Sequence, residues 1–182
     1  LGAYEFITKP FAAEQLLNFV NRALENIKLK KENKQLENKL FHSFDLIGES
    51  NQISKIKKMI TKLSTTESRI LISGPTGSGK ELVARKIHKN SSRAKEPFVI
   101  LNGALLQKDN YEYELFGTEN PDGTIVYGFL EKAKNGTLLI DEVAEIPLDT
   151  QAKILRVLID QKFKRVSGTK DINVNIRIMS ST

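Results

Sequence analysis

The chain has 182 residues, with 28 Lys and Arg against 22 Asp and Glu for a formal charge of +6, and it contains no cysteine. Disulfides and thiolate metal sites are therefore excluded, and the two separated histidines, His42 and His88, do not make a zinc ligand set. No apolar run approaches the roughly 18 residues needed to cross a bilayer, and the start carries no secretory pattern, so a soluble cytoplasmic protein is expected.

Residues 2–11, Gly-Ala-Tyr-Glu-Phe-Ile-Thr-Lys-Pro-Phe, read as a strand and turn. Leu16, Val20, Leu24 and Ile27 then repeat at helical spacing, a stripe expected to pack inward. After it the phase shifts. Leu29, Asn33, Leu36 and Leu40 follow at steps of four, three and four, which is heptad spacing with an Asn at one core position, a residue that selects register and oligomer state. We read residues 27–43 as a linker helix that dimerises, in preference to a plain surface helix joining two domains. Lys28 to Lys39 holds five lysines and two glutamates, a local excess of +3. With no helix-turn-helix beside it, a solvated helix face explains that charge better than contact with DNA.

From Phe44 onward the pattern becomes α/β. Ile53, Ile56, Met59, Ile60 and Leu63 form an amphipathic helix, and Arg69 to Ser73 a first core strand. Lys80 to Asn90 reads as a helix with Leu82, Val83 and Ile87 in the core and His88 packed structurally. Pro97 opens Phe98-Val99-Ile100-Leu101, a continuous apolar run suited to a buried parallel strand, ending at Asn102. Leu138-Leu139-Ile140 is a second such run. Pro147 and Asp149 start a helix with Ile154, Leu155 and Leu158 on one face, and a hairpin turning near Gly168 precedes a final strand, Val174 to Ser180. Strands alternating with helices predict a mostly parallel sheet covered on both faces, a three-layer α/β/α architecture.

Two segments carry chemistry. The first strand runs into Gly74-Pro75-Thr76-Gly77-Ser78-Gly79-Lys80, and about sixty residues on, Leu138-Leu139-Ile140 runs into Asp141-Glu142. Glycines let the backbone curl its N–H groups around phosphate oxygens, Lys80 adds a point charge, and the following helix offers its positive end to the anion. Asp141 can hold Mg²⁺ directly or through water, and Glu142 can polarise an attacking water. Together the segments predict a nucleoside triphosphate site with Mg²⁺. One departure stands out: the strict motif places Ser or Thr after the lysine, and here Glu81 follows. Asn102, a polar residue at the end of a central strand, reads as a turn or cap from its position alone.

The stretch Gly-Ser-Gly-Lys-Glu-Leu-Val-Ala-Arg-Lys-Ile-His (77–88) resembles the AAA+ ATPase domain of NtrC-type transcriptional activators, whose phosphate loop also carries Glu after Lys. Glu114-Leu-Phe-Gly117, Gly136-Thr-Leu-Leu-Ile-Asp-Glu142, Ala152-Lys-Ile-Leu-Arg-Val-Leu158, Arg165-Val-x-Gly-Thr169 and Val174-x-Ile-Arg-Ile178 follow in family order. The resemblance covers about Phe44 to Thr182 and implies a P-loop AAA+ fold with ATP hydrolysis coupled to transcription. It implies that Asp45 to Ser50 lies near the adenine, that Asn102 pairs with Glu142 and restrains it, and that Thr182 reads the γ-phosphate. Residues 2–11 similarly resemble the end of a response-regulator receiver domain, with Lys9 as the lysine that contacts the phosphorylated aspartate.

The domain reading that follows is a receiver remnant over 1–26, the linker over 27–43, and the N-terminal part of an AAA+ domain over 44–182. Leu1 in place of Met, and an end at Thr182 directly after a strand pattern, lead us to expect a piece of a longer polypeptide. Arginine fingers, lid and DNA-binding domain would lie beyond it, so this piece alone is expected to hydrolyse ATP poorly. The partners implied are a cognate sensor kinase, DNA, and further copies of the chain, as a dimer through the linker and a higher ring in the complete protein.

Between Gly117 and Gly128 the family carries a Gly-Ala-Phe-Thr-Gly-Ala loop that touches the enhancer-dependent sigma factor. Here the stretch is Thr118-Glu-Asn-Pro-Asp-Gly-Thr-Ile-Val-Tyr127. It is shorter and lacks the motif, which counts against that contact and is similar to the NtrX-like branch. Two functional readings stay open: an ATPase, or a module that binds ATP only to control assembly. Another AAA+ ATPase, such as a replication or protease regulator, is disfavoured by Lys9-Pro10 and Glu81.

Overall fold

A computed structural model describes residues 46–106 and 110–182, together with Leu17, Val20, Asn21, residues 23–25, Ile27 and Lys28. The expected strand with Lys9, Leu16 and the heptad positions Leu29, Asn33, Leu36 and Leu40 lie outside the described residues. Residues 1–45 and 46–182 are separate compact units. Of the first, Val20, Leu24 and Ile27 are helical and exposed, so the stripe expected to pack inward is uncovered at these positions.

In the second unit, α1 (Asn51–Ser64) is capped by the Ser50 hydroxyl, which accepts from Ile53 N at 3.3 Å. β1 (Ile70–Ile72) leads to α2 (Lys80–Lys89) and β2 (Phe98–Asn102), followed by a 3₁₀ turn at Gly103–Leu105. Then come α3 (Tyr111–Phe116), a short hairpin of β3 (Thr118–Glu119) and β4 (Ile125–Val126), α4 (Phe129–Lys132) and β5 (Thr137–Asp141). A second 3₁₀ turn at Val143–Glu145 precedes α5 (Leu148–Asp160), a hairpin of β6 (Lys162–Lys164) and β7 (Asp171–Asn173), and β8 (Arg177–Ser181).

The main sheet has the order β1-β8-β5-β2, every pair parallel. Such a sheet needs helical crossovers and is buried on both faces, which is why β5 reads as an unbroken apolar run. Side chains alternate between two cores. Leu138 and Ile140 of β5, with Ile178 of β8, pack with Leu115, Leu130, Ile154 and Val157; Leu139 and Met179 pack on the opposite face with Ile60, Ala84 and Ile87. Each such aliphatic side chain contributes about 1.5–3 kcal/mol through burial, so the centre of the sheet is the most firmly held part.

Two expectations change. The buried face of α5 is Thr150, Ile154 and Val157, while Leu155 is 52% exposed, because one residue along a helix turns the side chain by about 100°. The last strand starts at Arg177, since Val174 N donates to Gln161 O and the Asn175 carbonyl accepts from Arg93 Nη1, which removes both from the ladder. The β6–β7 hairpin turns beside Gly168 as expected, with Ser167 at a positive φ of 63°.

Candidate functional site

The strands of a parallel sheet deliver their C-terminal ends to one edge, and there the two motifs meet. After β1 the chain forms the loop Ser73–Gly79, in which Gly77 and Gly79 sit at φ 78° and 89°, a left-handed conformation that strains any side chain. Gly79 is the N-cap of α2 without a side-chain cap, so first-turn N–H groups of that helix are left available to an anion. Lys80, whose side chain is 9% exposed, turns back across the loop. Its Nζ donates to Gly74 O at 3.1 Å and to Glu142 Oε1 at 3.3 Å. Pro75 O accepts from Ser78 N at 3.1 Å, closing the loop around Thr76 and Gly77.

Glu142 has φ 51° and ψ 52°, and this non-glycine left-handed geometry costs about 1–2 kcal/mol. It turns the chain sharply out of β5 and aims the carboxylate at Lys80. Gly103 makes room beneath: a Cβ there would stand 2.6 Å from Glu142 O. Asp141 is fixed from the neighbouring strand, where the Ser181 hydroxyl donates to Asp141 Oδ1. Thr182 lies beside the loop through its backbone, donating to Ile72 O at 3.1 Å and accepting from Gly74 N at 3.2 Å.

Asn102 ends β2 in register with Asp141. Its Oδ1 accepts from Ala104 N at 2.9 Å and caps the following turn, while the Glu142 carboxylate is held by Lys80; the Asn102–Glu142 pair implied by the resemblance is not formed in this structure. Glu81 is turned aside as well. Its carboxylate accepts from Arg85 Nε at 2.6 Å, one helical turn on, and the Arg85 guanidinium stands 5.1 Å from the Phe98 ring centre. Gly74, Gly77, Gly79, Lys80, Asp141, Glu142 and the Thr182 backbone are thus brought together. Ser181 was not singled out from sequence; its signal is a hydroxyl at the end of an apolar strand, meaningful only once β8 is known to lie between β1 and β5.

Beside the loop a cavity of about 460 Å³ opens between α1 and β1, lined by Ile56, Met59, Leu71, Gly74 and Lys80 among others. One apolar wall and one polar end suit a base and ribose attached to phosphates. A cavity of about 600 Å³ near the β6–β7 hairpin is larger. Its cations are engaged locally, Lys153 with Glu112 and Lys162 with Asp171, so volume alone does not mark the site. Among the described residues no three His, Cys, Asp or Glu side chains converge as a metal cage. A single carboxylate next to a phosphate cradle fits Mg²⁺, which binds through one or two carboxylates together with phosphates and water.

Residues 46–182 match the family described as the sigma-54 interaction domain. The nitrogen assimilation regulatory protein NtrX of Azorhizobium caulinodans is 44% identical over 182 residues, which is all of this chain and 40% of that protein. The crystal structure of NtrX from Brucella abortus superposes with a TM-score of 0.83 at 50% identity, covering 100% of this chain and 40% of that one. Another structure of the same protein, in complex with ATP, gives a TM-score of 0.77 at 49% identity, with 100% and 38% covered. The chain thus spans about two fifths of the length of these relatives.

Proposed function

The chain belongs to the sigma-54 interaction domain family, and we propose that it is the ATP-binding central region of a two-component response regulator controlling transcription, with hydrolysis in the assembled protein. The observation that carries this reading is Lys80, whose ammonium joins the phosphate loop at Gly74 O to Glu142 at the tip of β5. An NtrX structure holding ATP supports the choice of nucleotide. In this reading residues 1–26 belong to a receiver, 27–43 to a linker that pairs two copies, and 44–182 to the ATPase. A cognate sensor kinase, DNA, and further copies of the chain in a higher ring are the remaining partners of this reading. Among the described residues no helix is long and apolar enough to cross a membrane; the setting of this reading is the cytoplasm.

The residues divide the work by chemistry. The N–H groups of the loop and of the first turn of α2 receive the phosphates, with Gly77 and Gly79 allowing the backbone to approach. Lys80 exchanges its bond to Glu142 for a phosphate oxygen. Glu142, released, is the carboxylate placed to orient and deprotonate a water, and Asn102 would restrain it on giving up its bond to Ala104 N. Asp141 would hold Mg²⁺, which when bound shields the charge shared by the β- and γ-phosphates. Thr182 would contact the γ-phosphate, a role supported by its backbone bonds to Ile72 and Gly74 beside the loop.

The complete protein with Glu142→Gln tests this reading. ATP binding is expected to persist while phosphate release falls by about a hundredfold or more. Unchanged release would favour the second reading, in which nucleotide acts as an assembly ligand alone. The short β3–β4 hairpin favours an output through assembly and DNA occupancy, because the stretch that would carry the sigma-contacting loop closes at Asn120–Thr124.

A further inference from the structure

We propose that Ser181 is the positioning residue for Asp141, supplying from β8 the hydroxyl that the phosphate loop lacks after Lys80; this rests on the nucleotide-site reading above. Ser181 is fully buried, and its Oγ donates to Asp141 Oδ1. Among the described residues no other side chain hydrogen-bonds that carboxylate. Lys80 is committed to Glu142, and Glu81, at the position where the general motif has Ser or Thr, is committed to Arg85.

The placement is fixed by backbone. Ser181 pairs with Ile72 of β1, and Ser180 pairs with Ile140 of β5, so the next residue on each strand, Ser181 and Asp141, stand side by side. Thr182 then clips the end of β8 to Ile72 and Gly74. The hydroxyl proton occupies Oδ1 and leaves Oδ2 unshared. A carboxylate already held in one orientation loses less freedom when it takes a metal ion or an ordered metal-bound water, so the effect belongs to metal-dependent binding. Partners of this outer kind typically change metal affinity by about 10–100-fold when removed.

The experiment measures ATP affinity of the complete protein by equilibrium titration, once with EDTA and once with Mg²⁺, for wild type, Ser181→Ala and Ser181→Cys. Cysteine keeps the volume and weakens the donor, so it serves if the alanine variant folds poorly. All three are expected to bind within about twofold in EDTA, whereas the gain on adding Mg²⁺ is about tenfold smaller in both variants. In an Asp141→Asn background the Ser181 change is expected to add nothing. A full Mg²⁺ gain in the variants, an equal loss with and without Mg²⁺, or additivity with Asp141→Asn each overturns the assignment. Wild type that binds ATP while Ser181→Ala behaves identically sinks only the role of Ser181; wild type that binds no ATP sinks the nucleotide site and this role with it.

Discussion

His88 shows how burial sets a titration that stability then reports. Its ring is buried, Nδ1 hydrogen-bonds the Thr137 hydroxyl at 2.9 Å, and the ring centre lies 5.0 Å from that of Phe98. Burial pushes the imidazole below its ordinary value, with the charges of Arg177, Arg85 and Arg93 acting in the same direction and a bond to the Glu96 backbone opposing them. The unfolded chain therefore takes up this proton at a higher pH than the folded one. Stability from His88 is complete above about pH 6.5 and is lost as pH falls from there through the depressed folded value. Denaturation midpoints from pH 8 to pH 5 are expected to decline below about 6.5, and His88→Gln, which cannot titrate, is expected to flatten that decline whatever its own stability. An equal slope in the variant would assign the acid sensitivity elsewhere. The structural role of His88 was legible in sequence from its place on a helix stripe. Asn102 was legible as a cap, because its position at a strand end fixes that outcome locally. Ser181 was not, because its meaning depends on a neighbour forty residues away.

At the scale of elements, the feature that stands out is a clamp around Arg165. Its guanidinium donates to both Glu131 oxygens at 2.8 and 2.7 Å, lies 3.6 Å from Glu119 Oε2, and stands 5.5 Å from the Tyr127 ring centre. Backbone bonds reinforce it: Val166 N donates to Gly117 O and Glu119 N donates to Val166 O. The β3–β4 hairpin, α4 and the β6 arm are thereby one unit. Arg165 and Glu131 are 10% and 11% exposed, so removing the cation leaves a desolvated carboxylate without its partner. Arg165→Met is expected to cost about 3 kcal/mol in urea denaturation, and Arg165→Met combined with Glu131→Leu to recover most of it. Equal losses in the two variants would show that the clamp works through packing and not charge. Sequence gave Arg165 only as part of a family pattern, and the hairpin it holds went unread. Asn120-Pro121-Asp122-Gly123 does carry a turn signal, but two-residue strands are too short to show alternation.

For residues 46–182 as a whole, the parallel sheet was readable because strands buried on both faces cannot hide their apolar runs, as β5 shows. The strand order was not, since placing β8 between β1 and β5 depends on contacts far apart in sequence. That order matters for energetics: β8 separates the two motifs, and Lys80 reaches across its end to join α2 to the tip of β5. A nucleotide that engages both motifs therefore braces the centre of the sheet and not one loop alone. Ligand present at a hundred times its Kd stabilises the state it binds by about 2.7 kcal/mol. For a chain of this size each kcal/mol raises the melting temperature by about 2–4 °C, so a rise of roughly 5–11 °C is expected on adding ATP with Mg²⁺. Lys80→Ala, if it weakens binding about tenfold, reduces the stabilisation at the same ATP concentration to about 1.4 kcal/mol, half the wild-type shift. Thermal unfolding of both proteins with and without nucleotide measures the difference. A wild-type shift that Lys80→Ala reproduces in full would mean that ATP is held somewhere other than the cradle between Gly74 and Glu142.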